Sequence, residues 1–485
     1  MIERTLAVNS PTTNPRFWIG GQWIQTQTAK DVVNPATGEV LAQVPLGDLT
    51  TMEAAINAAL EAFTPARQQS SHERATVLHA VAKGIEERRA EFVNTIVAEA
   101  GKPVTFAEAE VARAILTFTA AAEEARRQHG EVLDMDAFPS GQGHFGVTRR
   151  FPLGVIYGIT PFNFPLNLVA HKVAPCLATG NTMVLKPATK TPLTALLLGE
   201  VLEKAGVLPG QINIVTCPNE LAGHLVGDPR VKMVSFTGSP TVGWQLKAKC
   251  GKQRITLELG GNAGVIVHED ADLAVAIPAI ASGGFGYAGQ SCISVQRVFV
   301  DAPIYDAFRD RFVAHVRENV RLGDPRLRET MVGPMIEQAA ADRICGWITE
   351  AVKAGAGVLI GGKANGPLVE PTVLENVASH LDICAQEAFA PVVTLHRYEQ
   401  FEQALASVNN SAFGLQAGVF TQNLQRAWQA FTALEVGGVL INNVPTFRVE
   451  NMPYGGIKDS GFGREGIRYA MEEMTEVKSF IMKLS

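Results

Sequence analysis

GVIYGIT (154–160), LNLVAHKVAPCLATG (166–180), TMVLKPA (182–188), TALLLGEVLEKAG (194–206), QINIVT (211–216), ELAGHLVG (220–227) and KMVSFTG (232–238) alternate short apolar runs with longer stretches. The short runs read as buried strands. The longer ones carry apolar residues three and four apart and read as helices. Strands alternating with helices specify an α/β fold with a parallel, doubly wound sheet. ITLELGG (255–261) and AGVIV (263–267) extend the pattern into a second α/β section over about 265–440. Its strands include VQRVFVD (295–301), GVLIGG (357–362), VVTLHRY (392–398), AGVFT (417–421) and GGVLINN (437–443).

The chain ahead of this region is different. Residues 17–50 read as short strands and turns, and 52–129 as helices, with Gly101 before Pro103 as a helix stop. Residues 130–150 change character and look like an extended arm or hairpin. The tail EEMTEVKSFIMKL (472–484) ends in an alternating strand-like stretch. It can pair with the 130–150 arm, pair with another subunit, or stand as a simple edge strand.

Composition narrows the function classes. At 485 residues the chain is too long for one core and suggests about two to four domains. A net charge of -6 leaves no basic excess to neutralise phosphates, which argues against nucleic-acid binding. No apolar run has the length of a signal peptide core or a membrane span. The histidines are scattered without metal-ligand spacing, so no metal is expected. Six cysteines without a CxxC pair form no disulfide framework, so a reducing, cytoplasmic setting is expected.

The strand ends are where chemistry is expected, because ligands of open α/β sheets bind beyond the carboxyl ends of the strands. Thr160, Pro161 and Asn163 follow one strand, Lys186 and Pro187 another, and Phe236, Gly238 and Ser239 a third. A Gly-Ser step opening a helix offers free N–H groups to a phosphate. Each feature alone is an ordinary turn or a solvated lysine; three in consecutive units favour a nucleotide crevice. Glu258 lies where a strand meets Gly260 and Gly261, either as a capping or surface carboxylate or as a base at a crevice rim. The string GxGxxG at Gly284, Gly286 and Gly289 follows an apparent helix rather than a strand, so it does not read as a dinucleotide fingerprint. Cys292, at the end of that glycine-rich approach, is either a packed small hydrophobe or a nucleophile given clearance by its small neighbours.

Together the motifs PFNFP (161–165), LKPATKTP (185–192), FTGS (236–239), LELGG (257–261), GQSC (289–292), EAFAPVV (387–393) and MPYGGIKDSGFGRE (452–465) resemble the aldehyde dehydrogenase superfamily from about residue 17 to the C-terminus. The resemblance is nearest to the branch of lactaldehyde, phosphonoacetaldehyde and non-phosphorylating glyceraldehyde-3-phosphate dehydrogenases. It implies a Rossmann-like cofactor domain (1–130 and 151–258), an α/β catalytic domain (259–465) and a small β oligomerisation arm (131–150 and 466–485). It also implies a homodimer or homotetramer. Cys292 would be the nucleophile and Glu258 the general base, and the Asn163 amide with the Cys292 backbone N–H would form the oxyanion hole. Contacts to the cofactor would come from Thr160, Pro161, Lys186, Thr189, Gly223, Phe236, Gly238, Ser239, Gly260, Glu387 and Phe389. The reaction implied is NAD(P)-dependent oxidation of a small aldehyde to an acid through a thiohemiacetal and a thioester. A CoA-acylating relative and a non-catalytic binding member of the fold are the alternatives; the Cys292, Glu258 and Asn163 set argues against both.

Two departures bear on specificity. NAD-preferring relatives often carry a Glu three residues after the strand-end Lys. Here that position is Thr189, followed by Lys190, so NADP is expected to be accepted and a preference for it is open. Thr216-Cys217-Pro218-Asn219 replaces the usual glycine-rich turn, leaving Gly223 as the family-like glycine. Arg113 and Arg448 are candidates for an anionic substrate tail. Against this, Arg113 can pair with Glu110 at i, i+3, and Arg448 can be a surface loop residue.

Overall fold

The computed structural model describes residues 15–484. Two large sheets organise the chain. The first has eight strands, in the order Gln22–Ile24, Phe17–Ile19, Ile212–Ile214, Thr182–Lys186, Val155–Ile159, Val231–Thr237, Arg254–Glu258 and Gly461–Phe462. From Ile212–Ile214 to Arg254–Glu258 all neighbours are parallel. Val155–Ile159 and Thr182–Lys186 are buried at every position, as parallel strands covered on both faces must be.

The two-residue period of a strand divides these side chains between two cores. Ile156, Met183 and Leu185 face one core, with apolar residues of the helices Asn167–Thr179, Leu193–Lys204 and Val104–Ala125. Val155, Tyr157, Ile159 and Val184 face the other, with Met52, Ala55, Ile56 and Ala59 of the helix Leu49–Gln68. The pairing register brings Ile159 opposite Lys186 and Phe236, and Thr237 opposite Glu258. The carboxyl ends of four strands therefore share one edge.

The second sheet has seven strands, in the order Gly357–Ile360, Thr372–Glu375, Val392–Tyr398, Val295–Asp301, Ala263–Val267, Gln416–Phe420 and Gly438–Ile441. Glu258 ends a strand of the first sheet and Ala263 begins one of the second. Ala263 pairs with Val295, so the amino end of the second sheet, with Cys292 just before it, meets the carboxyl edge of the first.

The tail strand Thr475–Lys483 pairs antiparallel with His144–Pro152 of the same chain, and Val132–Leu133 completes a three-stranded sheet. Two boundaries differ from the sequence reading. Residues 466–485 do not act as one piece: Ile467, Met471 and Met474 pack in the first lobe's core, and the strand paired with His144–Pro152 begins at Thr475. Gly461–Phe462, grouped with the second domain, pairs with Leu257 and Glu258 and closes the edge of the first sheet. Among the described residues no helix is long and apolar enough to cross a membrane.

Candidate active site

The cleft where the two sheets meet has a volume of about 620 Å³. Asn163, Glu258 and Cys292 line it together, although they come from a loop, a strand end and a second loop. A larger cavity of about 850 Å³ lies between the 34–41 turn, the helix Arg89–Ala100 and the 323–326 loop, with no cysteine in its walls.

Cys292 sits in a tight turn held by Ser291 N–H to the Gly289 carbonyl (2.8 Å) and Ser294 N–H to the Ser291 carbonyl (3.0 Å). Its Sγ lies 3.1 Å from the Tyr454 hydroxyl. Burial pushes the thiol up to about 12, with Glu387 and Glu258 adding to the rise and Tyr454 and Arg448 opposing it. The glycines around it have other duties than the sequence suggested. A Cβ at Gly284 would strike Val393, one at Gly286 the Phe106 ring, and one at Gly289 the Ala390 carbonyl. These residues allow close packing and do not clear space at the sulfur. Gly261 makes room for the backbone of the cysteine loop: a Cβ there would stand 2.1 Å from the Cys292 carbonyl oxygen, so only glycine lets the crossover pass.

Asn163 is held by a buried frame. Its Nδ2 donates to the Gln290 carbonyl at 3.0 Å, and its Oδ1 is buried without a partner among the described residues. Just downstream, the Leu166 and Asn167 N–H groups donate to Glu110 Oε1 at 2.9 and 3.1 Å. Glu110 also pairs with Lys102, and both side chains are fully buried. The Lys102 ammonium lies 3.7 Å from the centre of the Phe164 ring. The turn carrying Asn163 is therefore fixed by a charge pair and a cation–π contact.

Glu258 is 3% exposed, and neither of its oxygens has a hydrogen-bond partner among the described residues. Burial and the nearby Glu465 hold its pKa well above the usual carboxylate range, against the pull of Arg448, Lys172 and Arg464. Gly455 makes room for it, since a Cβ there would come within 2.9 Å of Glu258 Oε1. Gly260 instead makes room for Glu387, whose carboxylate would lie 2.6 Å from an added Cβ.

The residues expected to meet a cofactor divide into two groups. Pro161, Gly238, Ser239, Gly260, Glu387 and Phe389 line the cleft. Thr160, Lys186, Thr189, Gly223 and Phe236 are not among its walls. Thr160 N–H donates to the Lys186 carbonyl at 3.1 Å, and Lys186 Nζ donates to Asn219 Oδ1 at 3.2 Å. Phe236 packs under Gly238, where a Cβ would sit 2.5 Å from the ring. Gly223 follows the short helix Asn219–Ala222, and Thr189 is half-buried. Glu387 accepts from Gly261 N–H at 3.0 Å, and burial raises it to about 7. Phe389 adopts a left-handed φ of 47°, and its ring meets Phe162 edge-on at 5.9 Å. Lys190 pairs with Glu337, which also lines the cleft.

Arg113 and Arg448 both line the cleft, Arg113 without the Glu110 pairing and Arg448 without the surface position that the sequence allowed. Glu110 is turned inward to Lys102, so Arg113 pairs instead with Glu450 at 2.9 Å. The Arg448 side chain is 5% exposed, not on the surface. It pairs with Glu465 at 3.3 Å, contacts His171 and lies 3.7 Å from the centre of the Tyr454 ring. His171 joins the two acids, reaching Glu450 at 2.8 Å and Glu465 at 3.4 Å. Sequence reasoning missed Tyr454, Glu465, Glu450, His171 and Gln290. Tyr454 and Glu465 lie inside the 452–465 motif, which was the available signal. Among the described residues no group of His, Cys, Asp and Glu is arranged to hold a metal ion.

With this geometry in place, the comparisons agree on a class. The chain belongs to the aldehyde dehydrogenase family, whose model matches residues 23–480. It is an oxidoreductase that acts on aldehydes. Its relatives include a 3-sulfolactaldehyde dehydrogenase of Priestia aryabhattai, 40% identical and aligned over 96% of this chain and 98% of that one. Aldehyde dehydrogenase 21 of Physcomitrella patens, solved with its product succinate, superposes with a TM-score of 0.95 at 42% identity, covering 98% of both chains. The glyceraldehyde-3-phosphate dehydrogenase GapN of Methanocaldococcus jannaschii, solved with NADP, gives 0.91 at 38% identity, covering 94% of this chain and 100% of that one.

Proposed function

We propose that the protein oxidises a small aldehyde with an anionic tail to the carboxylic acid, with Cys292 as nucleophile, Glu258 as general base, and the Asn163 amide with the Cys292 N–H as oxyanion donors. The observation that carries this reading is the convergence of these three side chains on one cleft whose wall also holds Arg113 and Arg448.

The residues around the cleft fit a nicotinamide dinucleotide. The Thr237 hydroxyl is buried without a partner among the described residues and lines the cleft. Ser239 opens the helix Pro240–Lys249, presenting N–H groups at its start. Lys186 and Asn219 would hold the adenosine ribose and Glu387 the nicotinamide ribose. The cofactor supplies the hydride acceptor. The rest is the chain's work. Cys292 adds to the carbonyl carbon as a thiolate, and the resulting oxyanion is met by N–H donors. After oxidation the acyl group stays on sulfur as a thioester. Glu258 then takes a proton from the attacking water. Its freedom from hydrogen bonds leaves both oxygens available to that water.

An anionic tail suits Arg113 and Arg448. The substrate that names one relative, 3-sulfolactaldehyde, and the product bound to another, succinate, carry such groups. Removing Arg448 is expected to lower kcat/KM for carboxylate- or sulfonate-bearing aldehydes about 10- to 100-fold more than for neutral aldehydes of the same length. Steady-state kinetics of Arg448→Ala on matched pairs checks this. Equal losses on both members of each pair remove the anionic-tail assignment.

Thr189 stands where NAD-preferring relatives often carry a Glu, which supports use of NADP; Lys190 is paired with Glu337 and adds no free cation. The NADP complex of the related GapN points the same way. We expect kcat/KM with NADP within about tenfold of that with NAD, or above it. A hundredfold preference for NAD contradicts the assignment. The exposed edge strand Thr475–Lys483, with Val477, Phe480, Ile481 and Met482 at the surface, supports pairing with a second copy in a homodimer or homotetramer. Unpaired cysteines fit a cytoplasmic setting. The first test of the whole reading is reduced-cofactor absorbance across a panel of anionic and neutral aldehydes. No signal with any of them overturns it.

A further inference from the structure

Tyr454 is the polar neighbour of the Cys292 sulfur, and the steps above give it no task. Its hydroxyl lies 3.1 Å from Sγ. The residue is 4% exposed, so the phenol is not freely solvated. Its backbone is clamped to Glu465: Tyr454 N–H donates to the Glu465 carbonyl at 3.0 Å, and the Glu465 N–H donates back at 2.6 Å. The Arg448 guanidinium lies 3.7 Å from the centre of its ring. The Asn163 amide, meanwhile, is engaged with the Gln290 carbonyl.

We propose that Tyr454 is a positioning residue for the nucleophile: its hydroxyl donates a hydrogen bond to the Cys292 thiolate and holds the sulfur ready for attack. The inference rests on Cys292 being the nucleophile. A cation over the ring face draws electron density from the phenol and makes its O–H a better donor. Burial keeps that phenol protonated far beyond neutral pH, so it remains a donor wherever the enzyme works. The groups facing the sulfur are Tyr454, Arg448, Glu258 and Glu387. The two carboxylates and burial disfavour the thiolate; Tyr454 and Arg448 favour it. Of the two favouring groups, Tyr454 is the one in hydrogen-bond contact. When the aldehyde is attacked, negative charge leaves sulfur for the carbonyl oxygen, and the Tyr454 bond weakens as the oxyanion contacts form.

Tyr454→Phe keeps the ring and the arginine contact and deletes one hydroxyl. The rate of Cys292 alkylation by iodoacetamide at a fixed pH between about 7 and 9, which follows the thiolate fraction, should fall about 10- to 100-fold, the size of a hydrogen bond to a charged group. At the same pH kcat/KM should fall by a similar factor. Replacing Tyr454 with 3-fluorotyrosine, a more acidic phenol of almost the same shape, should raise the alkylation rate; this second variant keeps the test open if the phenylalanine protein folds poorly. Alkylation rates unchanged in the folded variants overturn the role of Tyr454. Cys292→Ala separates the two ideas: if it keeps activity, the nucleophile assignment fails, whereas a dead Cys292→Ala with unmoved alkylation rates in the Tyr454 variants sinks the tyrosine alone.

Discussion

Cys292→Ala is expected to abolish aldehyde-dependent reduction of the nicotinamide cofactor, lowering kcat/KM by about 10⁵-fold or more, the scale of losing a covalent nucleophile. No other cysteine lines the cleft. Cys176, Cys217 and Cys384 are buried, and Cys250 and Cys345 are half-buried elsewhere. None can take over the attack. The substitution removes one sulfur from a partly open site and breaks no charge pair, so thermal unfolding should stay close to that of the parent. Cofactor absorbance and a melting curve check both halves. Activity within tenfold of the parent contradicts the assignment.

Glu258→Gln is expected to split the reaction. Attack on the aldehyde and oxidation do not need the base, so one reduced cofactor should appear per active site in a rapid burst. Hydrolysis of the thioester needs it if Glu258 is the proposed base, and steady turnover should then fall about 10²- to 10⁴-fold. Glutamine keeps the volume of the buried side chain and introduces no unpaired charge. The pH dependence follows from the direction of the Glu258 shift. Burial and Glu465 raise it, so at low pH the carboxyl is protonated and accepts no proton. Hydrolysis in the parent should therefore climb with pH through the raised pKa, and Glu258→Gln should lose that climb. Stopped-flow absorbance measures the burst and the steady rate separately. A parent-like steady rate rules out Glu258 as the base.

The sequence carried the sheet order poorly and the strand ends well. Apolar runs and turn residues marked where Thr160, Lys186, Thr237 and Glu258 would stand, because a strand end is a local property. What lay between elements was hidden. Arg448 reads as a loop cation until the fold brings His171 and Glu465 to it. Arg113 has Glu110 within one helical turn, yet Lys102 claims that acid and Glu450 replaces it. The glycines near Cys292 suggested clearance for a ligand, while their actual neighbours are Val393, Phe106 and Ala390. Contacts between residues far apart in sequence decide each of these cases. The segment 466–474 was merged with the tail strand for a similar reason: its apolar residues face a core built by helices hundreds of positions earlier.

The central claim is that an acyl group passes through the sulfur of Cys292. The most direct measurement is to mix Glu258→Gln with an anionic aldehyde and NADP, quench in acid, digest, and map the peptides by mass spectrometry. The expected result is one acyl adduct per chain, on the peptide containing Cys292 and absent without cofactor. An adduct on another residue, or a completed burst with no adduct on Cys292, would contradict the account.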